Sequence, residues 1–197
     1  MARTCTVWGW LVSGLMALLA QAQAPAAAPL ATLEQEIAQL LLQGRAGEAR
    51  QRLDQAAGEP AFVHTQEMLD DLNGLTSAAL DHEEIILLAF SGDLGQTVTV
   101  KLLRRSVTGK LFRVTAKTVV LQQPAPTGTR PTNVAIRAGE LANEEIMARL
   151  ARSNHRWAGV LRGIRAWQWG QRELAAECLK GHDEHLAKVL FAQLGKG

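Results

Sequence analysis

Apolar residues recur at two different periods along this chain, and the switch between them divides it into three parts. In Leu33–Leu42 the apolar positions Leu33, Ile37, Leu40 and Leu41 are spaced by three and four, which predicts one helix face. Gln43-Gly44 turns the chain. A second helix then carries Ala49, Leu53 and Ala56 on one side and ends near Gly58 and Pro60. Met68, Leu72, Leu75, Ala79, Ile86 and Phe90 keep helical spacing, and Leu69 and Leu87 widen the stripe. Unbroken, residues 61–90 make a helix about 45 Å long at about 1.5 Å per residue, with Gly74 as its weak point. Ser91-Gly92-Asp93-Leu94-Gly95 closes it with turn chemistry.

The period then falls to two. Val98, Val100 and Leu102 alternate with Thr99 and Lys101, a half-buried strand. Val107–Thr115 reads as a second strand in which Gly109 permits a bend or bulge. Thr118–Gln122 is a third, and Asn133–Arg137 a short fourth beyond the loop Pro124–Pro131. Three or four strongly bent strands are too few for a sandwich. They suit a small barrel or a curled sheet that leans on a helix for its missing face. Helical spacing returns with Asn143 as an expected cap and Glu144 and Glu145 in the first turn, the favoured sign there. Ile146, Met147 and Leu150 form its apolar face, followed by the stripe Trp157, Val160, Leu161, Ile164 and Trp167. Leu174, Ala175, Cys178 and Leu179, then Leu186, Val189 and Leu190, mark two more helices, with Gly170, Gly181 and Gly195 at the ends. The predicted class is α+β: helical hairpins around a small, strongly bent antiparallel β-sheet or barrel of three to four strands. The parts are helical residues 32–93, a β module at 94–139, and helical residues 140–197.

Two hairpins share the skeleton G-x-x-x-x-A-x-x-x-L, first as Gly44, Ala49 and Leu53, then as Gly170, Ala175 and Leu179. The glycine permits a tight turn and the alanine lets the second helix approach the first. This resembles the tetratricopeptide repeat, a helix–turn–helix unit of about 34 residues. Ala56 and Pro60 fit the exit of such a repeat, and Gly163 fits the small residue of its first helix. Ile37 and His182 depart from the pattern, and the β module separates the copies, so no continuous superhelix is implied. The hairpins are expected to pack on one another or on the β module. The segments Leu94–Leu102, Val107–Leu111 and Thr118–Leu121 are similar to the meander of the Sm-like barrel. That family's RNA site has Asp and Asn near the loop that here reads Val114-Thr115-Ala116-Lys117, so only the fold carries over and no binding residue does.

The N-terminus has the three parts of a secretory signal: Arg3, the apolar run Val7–Ala20, and Ala22-Gln23-Ala24 before Pro25. An uncleaved anchor is the alternative, because the run is near the lower length limit for a span. Residues 1–24 are read as the signal and 25–31 as a linker. Cleavage leaves about 173 residues, enough for one domain or two small ones, and the expected location is the periplasm or cell envelope, or the exterior. Cys5 is lost with the signal, so Cys178 has no partner for a disulfide and reads as a small buried hydrophobe. Exported helical scaffolds of this composition resemble bacterial ones.

Charge sharpens the division. Residues 25–93 hold three basic and twelve acidic side chains. Residues 94–139 hold Lys101, Arg104, Arg105, Lys110, Arg113, Lys117, Arg130 and Arg137 and no acid. The formal net charge of +2 therefore conceals two opposed halves. Either the acidic helices cover the basic module, or the module offers an anion-binding face centred on Lys101, Arg104, Arg105 and Lys110. Base stacking on it would be poor, since the chain has no Tyr and Phe112 is the module's one aromatic.

Signals of chemistry are thin. His182-Asp183-Glu184-His185 places two imidazoles three apart, a possible zinc pair set against a solvated helix start. Asp81-His82-Glu83-Glu84 reads as a wet face, and no nucleophile motif or phosphate loop is present in the sequence. Trp169 is a candidate anchor for a partner protein, set against packing on the next helix. No enzyme activity, catalytic residue or cofactor is expected. The preferred expectation is an exported scaffold or adaptor working through an unknown protein partner. The alternative is a polyanion-binding module for nucleic acid, an anionic envelope polymer or lipid headgroups.

Overall fold

In the computed structural model the described residues, 24–125, 130–182 and 184–195, form eight α-helices and one four-stranded sheet. The segment read as a signal lies outside the described residues except for Ala24, which begins helix α1, Ala24–Leu42. The expected linker is therefore helical. Its alanines are the best helix formers, and Pro25 falls in the first turn, where backbone N–H groups need no helical partner, whereas Pro29 lies inside the helix. Helix α2 is Ala46–Ala56, with Ala49, Leu53 and Ala56 buried as their spacing requires.

The long helix expected over 61–90 is broken into a 3₁₀ turn at Pro60–Phe62, α3 at Gln66–Leu80, α4 at His82–Leu88 and a second 3₁₀ turn at Ala89–Asp93. The break falls at Asp81, where Asp81 closes one helix through Ser77 and opens the next. Glu83 and Glu84 then occupy a first turn, where their charge opposes the helix dipole favourably. Gly74 lies inside an intact helix. A Cβ there would sit 3.1 Å from Trp157 Nε1, so the glycine admits the indole. Met68 is 39% exposed, and Leu69 takes the inward position in its place.

The sheet is an antiparallel meander of β1 (Thr97–Lys101), β2 (Ser106–Val114), β3 (Val119–Gln123) and β4 (Thr132–Ile136). It is not closed. After a 3₁₀ turn at Ala138–Glu140, the chain returns to β1 through the single bridge Leu102–Leu141, flanked by Leu103 N–H to the Glu140 carbonyl and Ala142 N–H to the Lys101 carbonyl, each 3.0 Å. The bulge lies at Phe112, between Leu111 and Arg113, and not at Gly109. Gly109 has another reason to be glycine: a Cβ there would lie 2.8 Å from the Gln122 carbonyl oxygen. Val100, Val107, Leu111, Val119, Leu121 and Ile136 point inward and join Ile86, Leu87, Phe90 and Leu150 in one apolar core.

The C-terminal helices are α5 (Asn143–Arg152), α6 (Ala158–Gln168), α7 (Arg172–Lys180) and α8 (His185–Leu194). Asn143 is the first helical residue; Ala142 precedes it and no side chain caps the helix. The two similar hairpins turn alike. Gly44 and Gly170 have φ of +77° and +76°. Arg45 N–H donates to Leu40 and Gln171 N–H to Ala166, each at 2.9 Å, the long closing bond of a left-handed helix end. At Gly163 a Cβ would stand 2.7 Å from Leu179 Cγ, so α6 and α7 touch without room for a side chain. Gln168 Nε2 donates at 2.9 Å to the Leu41 carbonyl, which also accepts the Gly44 N–H at 3.0 Å, and so joins the hairpins directly.

Candidate anion-binding face

With Val100, Leu111 and Leu121 inward, strand alternation sends Thr97, Thr99, Lys101, Thr108, Lys110, Gln122 and Asn133 to the opposite face. Register aligns Thr97, Lys110, Gln122 and Asn133 into one row across all four strands. Thr99 and Thr108 hydroxyls join at 2.8 Å beside it. The bulge turns both Phe112 and Arg113 outward, with the guanidinium 5.9 Å from the ring centroid. An open groove of about 690 Å³ follows the row, between Thr97 and Lys110 on one side and Gln123, Pro124 and Pro131 on the other.

Lys101, Arg104, Arg105, Lys110, Arg113, Lys117, Arg130 and Arg137 are all exposed. The side-chain charge of none of them lies within 4.0 Å of a carboxylate among the described residues; the carboxylates of Glu145 and Glu140 meet Lys101 and Arg137 only at their backbone N–H groups. The acidic helices do not cover the basic module. Their carboxylates find cations in the helical parts of the chain: Glu36 and Glu59 meet Arg52 at 2.9 and 3.1 Å, Asp54 meets Arg50 at 3.1 Å, and Asp71 meets Arg156, in the turn before α6, at 3.0 Å. Lys101 and Lys110 belong to the outward face, and Arg104 and Arg105 to the β1–β2 turn beside it. Like charges left open on a surface where, among the described residues, Glu140 is the one acid beside the β1–β2 turn arginines sum into a positive field that a polyanion would neutralise.

A buried ion network anchors this sheet. Glu145, 7% exposed, accepts the Lys101 backbone N–H at 3.1 Å and pairs with Arg149 Nε at 2.8 Å. Arg149, 5% exposed, also reaches Asp93 at 2.5 Å and lies 3.6 Å over the Phe90 ring. One guanidinium thus links α5, the second 3₁₀ turn and, through Glu145, the edge of β1. The sequence reading assigned Glu145 only to the helix start. Its one sequence signal is the i, i+4 spacing from Arg149, next to the apolar Leu150.

The remaining candidates are separated. His182 sits against Gly159, and His185 Nε2 contacts Glu34 Oε1 at 2.9 Å, so the two imidazoles do not converge on one ion. No group of three metal-ligating side chains occurs among the described residues. Trp169 is half-buried and packs against the cluster of Met147, Ala166 and Ala175. Burial pushes the Cys178 thiol up, which disfavours the reactive thiolate. His82 is partly buried, its Nδ1 2.9 Å from the Ala79 carbonyl; desolvation, then the Arg165 charge, push its pKa down. Among the described residues no helix is long and apolar enough to cross a membrane. Comparison with known proteins finds no matching family model, no matching curated protein and no matching solved structure.

Proposed function

We propose that this chain is a non-enzymatic binding module in which a helical scaffold presents an open cationic sheet to a polyanion. One observation carries the reading: the cations of residues 94–139 are exposed and their side-chain charges lie within 4.0 Å of no carboxylate among the described residues, with Lys110 lining a groove of Thr and Gln hydrogen-bonding groups. An adaptor acting through Trp169 has less support, because that indole is engaged within its own hairpin. The scaffold's part is to hold the sheet still: the β1 edge is fixed by Glu145 and the turn tip by Glu140.

The test is a titration with heparin, a soluble polyanion, at several salt concentrations. Affinity falls linearly in log–log form with salt, because bound cations release counterions from the polymer. Reversing Lys101, Arg104, Arg105 and Lys110 together to Glu abolishes binding, whereas reversing the exposed helix residue Arg172 leaves it unchanged. Equal losses from both variants, or binding indifferent to salt, would overturn the reading.

A further inference from the structure

Resting on the proposed anion-binding function, we infer that the polyanion is an anionic lipid surface and that the β1–β2 turn is the part that docks on it. Leu103 stands at the tip of this turn with 66% of its surface exposed. The backbone beneath it is held from two sides. Leu102 N–H donates to the Arg105 carbonyl at 2.7 Å, and Leu103 N–H donates to the Glu140 carbonyl at 3.0 Å. The side chain is therefore presented on a fixed tip. Exposed Arg104 and Arg105 share its cavity, and exposed Lys101 ends β1 two residues before it. Glu140 shares a shallow cavity of about 350 Å³ with Leu103 and the two arginines, and its Oε2 accepts the Arg137 backbone N–H at 2.8 Å.

An apolar apex flanked by cations matches a bilayer of phosphate headgroups over hydrocarbon. The arginines reach the phosphates while the leucine passes between headgroups into the apolar boundary. A dissolved polyanion has no apolar layer for Leu103 to enter. Single-stranded nucleic acid needs stacking partners, and the turn carries no aromatic side chain.

The test uses the purified chain with vesicles of phosphatidylcholine alone and of phosphatidylcholine with phosphatidylglycerol. Binding is read as the difference between the two, so that any contribution of the apolar run Val7–Ala20 common to both cancels. The expected result is binding that requires phosphatidylglycerol, weakens about tenfold with Leu103→Ser, and is lost with Arg104→Glu/Arg105→Glu. Heparin binding by Leu103→Ser stays at the parent level, which separates insertion from charge. Vesicle binding unchanged by Leu103→Ser, or heparin binding without vesicle binding, overturns the lipid assignment and leaves the polyanion reading intact. Binding to neither overturns both.

Discussion

Replacing Arg149 with Met tests the clamp that fixes the sheet to the helices. The substitution keeps most of the side-chain volume and removes the charge. Glu145, 7% exposed, then loses its Arg149 partner and keeps only the Lys101 N–H. Removing one partner of a buried pair costs about 3–5 kcal/mol, because the other charge stays desolvated. Loss of the contact over Phe90 adds to this. Asp93 contributes less, since it is more open to solvent and has Arg152 at 4.0 Å. With a urea slope of about 2 kcal/mol per molar, the unfolding midpoint falls by about 2 M. Circular dichroism reads it. Glu145→Leu combined with Arg149→Met removes both charges and leaves the Lys101 N–H unpaired, at about 1–3 kcal/mol. The double variant is therefore more stable than the sum of the single effects predicts. A loss below about 1 kcal/mol for Arg149→Met, or strictly additive losses, would refute the buried clamp.

Gly163→Ala costs about 1–3 kcal/mol through overlap with Leu179; Leu179→Ala alone costs about 2–5 kcal/mol, and the double variant loses less than the sum of the two. Gly170→Ala costs about 1–2 kcal/mol from the backbone alone, at φ +76° with no neighbour within 4 Å of the new Cβ, so Leu179→Ala does not relieve it. Thermal melts of the three single and two double variants separate the two causes. His82 gives the protein an acid sensitivity of stated sign. Its folded pKa lies below the ordinary 6.5, chiefly through burial and then through Arg165. The unfolded chain therefore takes up the proton first as pH falls. Stability is full above about pH 6.5, declines as pH drops from there to the folded pKa, and levels off below it. His82→Gln flattens that part of the profile in urea midpoints taken from pH 7.5 to 5; an unchanged profile would show that His82 does not contribute.

The strand positions were legible to within one residue because period-two alternation is a local property: Val98, Val100, Val107 and Leu111 state their own face. The hairpin turns were legible for the same reason, since Gly44 and Gly170 each end a helix by a backbone conformation that glycine favours. What escaped the sequence depends on distant partners. Gly74 reads as a helix weakness until Trp157 is placed against it. Asp81 splits a stripe whose apolar spacing runs through it without a fault. Glu145 in a first helical turn has an adequate local explanation, and its second role requires β1, 44 residues earlier in the chain. Opposed charge blocks likewise fit two arrangements equally well, and only the positions of Arg50, Arg52 and Arg156 show where the acids go.

The openness of the cationic sheet is tested most directly by lysine footprinting with mass spectrometry, in the presence and absence of heparin. The account predicts that Lys101, Lys110 and Lys117 react readily in the free protein and that heparin protects Lys101 and Lys110. Slow labelling of these lysines without ligand, or protection confined to Lys180 and Lys188 of the C-terminal helices, would contradict it.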